Sequence, residues 1–157
     1  MPILTVQELK ASQPRNSRLL GLDLGTKTIG LALSDLTMTV ATPMKTISRT
    51  KFTNDVRELL DTIDKNEVYA LIIGLPVSMD GTEGPRCQST RQFVSNVLKL
   101  RDIPIAYWDE RLSTAAVTRT LLEADASRRR RAEVVDKMAA AYILQGALDS
   151  SGLPPIL

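Results

Sequence analysis

The sequence predicts an α/β fold in which a mixed sheet carries helices on both of its faces. A chain of 157 residues suits one domain with a single core. Two β-type segments joined by a tight turn come first, and a third follows before the first long helix. Strands and helices then alternate, which is typical of parallel strands linked by helical crossovers. An antiparallel meander followed by such crossovers gives a five-stranded mixed sheet whose second strand is antiparallel.

The first two strands lie in Arg18–Asp35, which reads R-L-L-G-L-D-L-G-T-K-T-I-G-L-A-L-S-D. The first apolar run reaches Asp23, and Gly25 follows where a tight turn favours glycine. A carboxylate in such an apolar neighbourhood is costly to bury unless something pairs with it. Asp23 is therefore either a turn residue or a ligand for metal or phosphate at the end of a strand.

The remaining elements follow from hydrophobic periodicity. A third strand is predicted over residues 39–47, at an edge or bent because Pro43 interrupts it. The near-continuous apolar run at 68–75 predicts a strand that is buried on both faces, and a further strand is predicted at 103–108. Amphipathic helices are predicted over four ranges: 52–63, 87–100, 113 (with Ser113 as N-cap) to 123, and 132–148.

The chain divides into an extension, a domain and a tail. Residues 1–17 form an N-terminal extension with a short helix capped by Thr5, residues 18–149 form the domain, and residues 150–157 form a short tail. No apolar run approaches the ~18 residues that span a bilayer, and no secretory signal pattern is present. We therefore expect a cytoplasmic protein without a membrane partner.

Two residue types restrict the chemistry. The sequence has no histidine, which excludes His-based general bases, Ser-His-Asp triads and His-ligated zinc. It has one cysteine, Cys87, so an internal disulfide and a Cys-rich metal site are excluded as well. Carboxylates remain as metal ligands, and they favour hard cations.

Acidic residues follow two of the predicted parallel strands. Asp23 ends the first strand, and Asp109 and Glu110 end the fifth. A loop rich in turn residues, 76–84, leaves the fourth strand. Ligands of such sheets bind at the carboxyl ends of parallel strands. The three features therefore meet at one edge, although strand alternation alone leaves the choice between Asp109 and Glu110 open.

A further acid lies on the last helix. Asp136 shares a stripe with the apolar residues Ala140, Ile143 and Ala147, which predicts that it faces the sheet. The alternative is an aspartate favoured by the dipole at the start of a helix. Three carboxylates without histidine indicate Mg²⁺ or Mn²⁺, used as two ions about 4 Å apart in phosphoryl chemistry.

Four motifs in order resemble one known family. They are G-L-D-L-G-T-K-T-I-G-L-A-L-S-D, I-I-G-L-P-V-S-M-D-G-T-E-G, D-E-R-L-S-T and V-D-K-M-A-A-A-Y-I-L-Q. Together they are similar to the YqgF/RuvX family of Holliday-junction-resolvase-like proteins, and the resemblance covers residues 18–149. It implies a ribonuclease H-like fold and a nuclease that processes the 5′ end of pre-16S rRNA. The partners implied are pre-rRNA or structured DNA, with ribosomal particles in addition.

The resemblance also implies the site residues. Asp23, Glu110 and Asp136 fall on the family's metal-binding and catalytic acids, so the resemblance favours Glu110 over Asp109. Two Mg²⁺ or Mn²⁺ ions are the implied cofactors. The segment before Asp136 is Arg-rich where many members carry a shorter Gly-Lys element.

Basic residues near these motifs are candidates for holding substrate phosphates. The run at residues 128–131 lies beside a predicted helix start, where positive charge is unfavourable to the dipole, so helix stability does not explain it. A solvated loop is the alternative. The full set is Lys27, Arg86, Arg111, Arg128, Arg129, Arg130, Arg131 and Lys137.

Three functions compete at this stage. The first is a metal-dependent endonuclease on structured nucleic acid, either pre-rRNA or a branched DNA junction. The second is a phosphotransferase of the actin and sugar-kinase type, whose phosphate loop also reads D-L-G-T, but the chain is short for its paired domains. The third is a non-catalytic nucleic-acid-binding module.

Overall fold

The computed structural model describes residues 3–78, 80–112 and 128–150, and only the backbone of residues 128–136. Within these ranges the strands are β1 (Ile3–Leu4), β2 (Arg18–Leu24), β3 (Thr28–Ser34), β4 (Ala41–Ser48), β5 (Val68–Leu75) and β6 (Ile105–Asp109). The helices are α1 (Val6–Ser12), α2 (Phe52–Lys65), α3 (Pro85–Leu100) and α4 (Arg128–Asp149). A single 3₁₀ turn, Glu110–Leu112, follows β6.

The strands form one mixed sheet in the order β1-β6-β5-β2-β3-β4. Strands β1, β6, β5 and β2 are parallel neighbours. Strand β3 is antiparallel to both β2 and β4. The predicted mixed sheet with an antiparallel second strand is therefore confirmed, and the carboxyl ends of β2, β5 and β6 share one edge, which we call the carboxyl edge.

Two buried clusters cover the two faces of the sheet. On one face, α1 and α4 pack against the sheet through residues such as Leu9, Ala140 and Leu144. On the other face, α2 and α3 contribute residues such as Leu59 and Phe93. Helices therefore lie on both faces, as the periodicity predicted.

The N-terminal segment gives the sheet six strands rather than the five expected. Thr5 caps α1 through a capping box with Glu8, as predicted for Thr5. The two residues before the cap form β1, in which Ile3 pairs with Ile105 at the outer edge of β6. Val6 and Leu9 are buried in the α4 cluster, so this segment packs onto the domain that it was expected to precede.

The third predicted strand is an edge strand with an irregular register. Leu31 pairs with Lys45, whereas the next residue, Ala32, pairs with Pro43. One residue of β4 is therefore extra, which is how a proline without a backbone N–H fits at a sheet edge. The prediction that Pro43 makes this strand an edge strand or a bent one is therefore confirmed.

The last helix starts four residues earlier than expected. It begins at Arg128 instead of Ala132, so the four arginines form its first turn and not a loop before it. Arginine propagates a helix well, and this intrinsic preference outweighs the unfavourable dipole at the N-terminus. The helix predicted from Ser113 to residue 123 lies outside the described residues, as does the tail after residue 150.

Contacts at its C-terminal end give the direction of α4 across the sheet. Gln145 accepts a hydrogen bond from the backbone N–H of Ala41 (2.9 Å) and donates one to the carbonyl of Thr39 (2.9 Å). Both partners lie where β4 begins, opposite the carboxyl edge. The N-terminal half of α4 therefore extends towards the carboxyl edge. In the described ranges, no helix has the length and apolar character needed to cross a bilayer.

Candidate active site

Asp23 lies near the end of β2 and is almost completely buried, with 2% of its surface exposed. Its register partner on β3 is Gly30. On the other side, the pair Leu22–Ile73 brings Asp23 level with Gly74 of β5. Asp23 is therefore flanked by a glycine on each of the two neighbouring strands.

Glu110 comes directly after β6 and is 5% exposed. A Cβ placed on Gly74 would lie 3.3 Å from the Cγ atom of Glu110 and against the Cδ1 atom of Ile143. Gly74 thus lies between the two acids, and its missing side chain is what allows Glu110 to pack there. A larger residue at this position would displace either the acid or the helix.

Both acids face α4. A Cβ on Gly21, two residues before Asp23 on the same face, would lie 2.8 Å from the Cβ of Leu144 and 2.9 Å from the carbonyl oxygen of Ala140. Helix α4 therefore touches the backbone of β2. Position 136 lies one helical turn before Ala140, towards the carboxyl edge, but the side chain of Asp136 is not among those the structure describes.

Asp109 has a different environment from Glu110. Arg111 donates to it from Nε (3.1 and 3.0 Å), from Nη2 (2.6 Å) and from its backbone N–H (2.9 Å). The side-chain hydrogen bonds from Arg111 hold the pKa of Asp109 below its usual range. The structure therefore places Glu110, and not Asp109, on the face that Asp23 shares.

The donor set fits a hard divalent cation. Two buried carboxylates, Asp23 near the end of β2 and Glu110 directly after β6, share one face, with Gly74 of the intervening strand β5 between them. Oxygen is the ligand that Mg²⁺ and Mn²⁺ prefer. Among the side chains that the structure describes, no group of three Asp, Glu, Cys or His residues is arranged to hold a metal. The predicted third acid, Asp136, falls outside that set.

The loop after β5 is braced by its own hydrogen bonds. Asp80 accepts hydrogen bonds from the backbone N–H (3.0 Å) and the hydroxyl (2.7 Å) of Thr82, and these lower its pKa. Glu83 pairs with Arg91 of α3 through two hydrogen bonds of 2.8 and 2.7 Å, which lower the pKa of Glu83. Both acids are therefore used to shape the loop.

The predicted basic residues have different surroundings. Lys27 is exposed in the turn between β2 and β3, and Arg86 is exposed at the start of α3. Arg111 is engaged by Asp109, although its Nη1 atom lies near the backbone of Gly81. Lys137 is partly buried on α4. Arg128 to Arg131 form the first turn of α4, and their side chains lie outside the description.

Arg49 is a basic residue outside the set predicted from the sequence. Its Nη1 donates to the carbonyl of Gly25 (2.7 Å), and its backbone N–H donates to the carbonyl of Lys27 (2.8 Å). It thereby holds the turn that follows Asp23. Its position in the sequence could have indicated this role. Arg49 directly follows β4, and because β4 is antiparallel to β3, β4 ends at the carboxyl edge.

Comparison with known proteins gives consistent results. The model of the RuvX family, described as Holliday junction resolvase, matches residues 17–150. A protein of Paramagnetospirillum magneticum named "Putative pre-16S rRNA nuclease" is 71% identical over 150 residues, covering 96% of this chain and 97% of the relative. A protein of Rhodospirillum rubrum with the same name is 60% identical over 151 residues, covering 96% and 94%.

Among solved structures, the chain is similar in fold to RuvC of Thermus thermophilus in complex with a Holliday junction substrate. The TM-score is 0.50 and the sequence identity 11%, and the match covers 81% of this chain and 91% of that one. At this identity the similarity shows the fold alone. It confirms the predicted ribonuclease H-like architecture.

Proposed function

Since this chain belongs to the RuvX family of Holliday junction resolvases, we propose that it is a nuclease that hydrolyses phosphodiester bonds. The proposed substrate is the precursor of 16S rRNA, processed at its 5′ end. The names of the relatives at 71% and 60% identity support this substrate. Nucleic acid, within ribosomal particles or free of them, is the partner that the proposal requires.

One observation carries the proposal. Asp23 and Glu110 are both buried, lie at the carboxyl ends of parallel strands, and share the face covered by α4. Carboxylate oxygens at the carboxyl ends of parallel strands are donors of the kind that Mg²⁺ and Mn²⁺ prefer. This placement of two acids supports a site for a divalent cation.

The residues present have distinct parts in this function. Asp23 and Glu110 would hold Mg²⁺ or Mn²⁺, with Asp136 as the third acid that the family resemblance implies. A divalent cation bound there supplies a Lewis acid that activates water and stabilises the leaving oxygen, and two ions would divide these tasks. Lys27, exposed in the turn after Asp23, is placed to neutralise a substrate phosphate.

Packing keeps this arrangement in position. Helix α4 lies directly against the backbone of β2, because Gly21 has no side chain that would hold the helix away. Asp23 is flanked by Gly30 of β3 and by Gly74 of β5, and the absence of a side chain on Gly74 lets Glu110 and Ile143 pack there. Asp23 is thus held on strand β2, and Glu110 on the 3₁₀ turn that directly follows β6, which favours a fixed geometry for catalysis.

The test is cleavage of pre-16S rRNA by the full chain in Mg²⁺. Asp23→Asn and Glu110→Gln keep the side-chain size and remove the charge, so we expect each to reduce kcat by about 10²-fold or more. Asp109→Asn distinguishes the role of Asp109 from that of Glu110. It should reduce kcat less, since Asp109 is bound to Arg111. Asp64→Asn, an exposed acid at the end of α2 paired with Arg101, is the matched control.

The outcome decides between the competing functions. Undiminished cleavage by Asp23→Asn would refute the proposed site. If the parent chain binds RNA but does not cleave it, and the variants behave as the parent does, the chain is a binding module.

Branched DNA is the second candidate substrate. The description of the matching family as Holliday junction resolvase favours it. A synthetic four-way junction, assayed beside the rRNA precursor at the same salt concentration, separates the two. Faster cleavage of the junction would make resolution of DNA the main activity.

A further inference from the structure

We propose that Lys27, Arg49 and Lys51, which we call the basic ledge, bind backbone phosphates of the nucleic-acid strand on the β3–β4 side of the active site. The inference rests on the proposed function and extends it to residues that no comparison assigns. Lys27 lies in the β2–β3 turn, whereas Arg49 and Lys51 lie in the loop between β4 and α2. Both segments are at the carboxyl edge, because Thr28 pairs with Ser48.

Arg49 is the centre of the ledge and is held from two sides. Its Nη1 donates to the carbonyl of Gly25 (2.7 Å), and its guanidinium lies 5.9 Å from the ring centroid of Phe93. Phe93 is itself in edge-to-face contact with Phe52, with centroids 5.6 Å apart. These contacts use one N–H and one face of a planar group that has five N–H donors. The remaining donors of this half-buried side chain can bind a phosphate in the forked geometry that arginine favours.

The loop that carries Arg49 and Lys51 is fixed by a buried carboxylate. Asp55, which is 5% exposed, accepts hydrogen bonds from the backbone N–H (3.0 Å) and the hydroxyl (3.3 Å) of Thr50. Arg49 is bonded through its own backbone N–H to Lys27. A loop held on both sides presents its charges without a large ordering cost on binding.

Among the residues that the structure describes, none of the ion pairs involves Lys27, Arg49 or Lys51. Asp55 is turned inwards to Thr50, and Glu58 pairs with Lys45 at 3.4 Å. Lys27 and Lys51 are exposed. Three like charges gathered at one edge repel each other, and a polyanion removes that repulsion.

The position of the ledge indicates a nucleic-acid strand. Strand β4 lies two strand spacings from β2, which is about 10 Å. That distance corresponds to about three nucleotides at ~3.4 Å per nucleotide along one strand. A strand whose reacting phosphate lies at Asp23 therefore reaches the ledge within a few nucleotides. The contacts are to phosphates and carry no base specificity.

The experiment measures binding without cleavage. Fluorescence anisotropy of the full chain, without divalent cation, is followed against salt concentration with a labelled RNA hairpin that has a single-stranded 5′ flank. A DNA of the same sequence is the second probe. For Lys27→Ala combined with Lys51→Ala we expect the slope of log K against log salt to become shallower by about 1.5, because two contacts contribute ~0.7–0.9 each.

Arg49→Gln should make the slope shallower by a further ~0.7–0.9. Lys99→Ala is the control, since it removes the same charge from an exposed position at the end of α3 away from the carboxyl edge. Circular dichroism checks that each variant is folded. If the parent chain binds and the ledge variants show the same slope of log K against log salt, the proposed role of the basic ledge is refuted. The proposed active site is not affected by that result. A parent that binds neither probe would overturn the proposed function and the ledge together.

Discussion

A single methyl group added at Gly74 would test how α4 packs beside the two acids. The Cβ of alanine at this position would overlap the Cδ1 of Ile143, lie 3.1 Å from its Cγ1, and lie 3.3 Å from the Cγ of Glu110. Ile143 is fully buried. It therefore cannot turn into solvent, and it must change rotamer or move α4 away from the sheet.

The expected cost follows from this crowding. Overpacking a filled core typically costs about 1–3 kcal/mol of unfolding free energy. For a domain of this size each kcal/mol lowers Tm by about 2–4 °C. Glu110 must also move by a few tenths of an ångström. Because a 1 Å misplacement can cost ~10²-fold in rate, we expect kcat to fall about threefold to tenfold.

A double-mutant cycle with Ile143→Val isolates the contact. Valine lacks the Cδ1 atom, and the single change should cost about 0.5–1.5 kcal/mol. In the double variant the overlap is relieved, so the combined loss should be smaller than the sum by at least about 0.5 kcal/mol. Urea unfolding gives the free energies of unfolding of the parent, the two single variants and the double variant.

Gly84→Ala is the matched control, because a Cβ there would meet nothing within 4 Å. Its cost should stay under about 1 kcal/mol, from the poorer N-cap of α3. If the Gly74 and Ile143 changes add to within ~0.5 kcal/mol, the methyl group and the isoleucine do not meet. The packing of α4 against β5 described above would then be refuted.

Two further predictions concern charged groups. Lys10→Met removes the Nζ that donates to the carbonyls of Ala147 (3.3 Å), Leu148 (3.1 Å) and Ser150 (2.6 Å) at the end of α4, so urea unfolding should show a loss of about 1–2 kcal/mol. Arg111→Ala should raise the pKa of Asp109 towards its ordinary value, as followed by carboxyl NMR titration, whereas Arg91→Ala should leave it unchanged. The pKa of Asp109 is lowered in the folded state, so its ion pair with Arg111 stabilises the fold above the unfolded pKa of ~3.9. This contribution to the free energy of unfolding is lost as the pH falls through the lower folded pKa. A parent whose Asp109 titrates no lower than the Arg111→Ala variant would contradict the ion pair.

The sheet could be predicted from the sequence because its signals are local. The apolar run before Gly74 and the turn at Gly25 each indicate a strand or a turn without knowledge of the rest of the chain. The edge position of β4 followed from Pro43 alone. The sixth strand could not be predicted, because a two-residue segment has no periodicity and forms only where β6 offers an unpaired edge.

The candidate site could be predicted only in part, for a similar reason. Parallel strands bring Asp23 and the Asp109–Glu110 pair to one edge, and this much follows from element order. The choice of Glu110 depends on how β6 ends in a 3₁₀ turn, which alternation cannot give. Arg49 was missed because its role comes from contacts with Gly25 and Phe93, which are distant in the sequence. The role of Asp136 stays a prediction.

The N-terminal segment has a consequence for the order in which the chain folds. Ile3 pairs with Ile105, and Lys10 binds carbonyls at the end of α4. Both partners lie far along the chain, so they are synthesised well after this segment. Closing so long a loop costs little more entropy than closing a short one, but it must wait for the partners to form. We therefore expect strand β1 and helix α1 to dock only after β6 and α4 have formed.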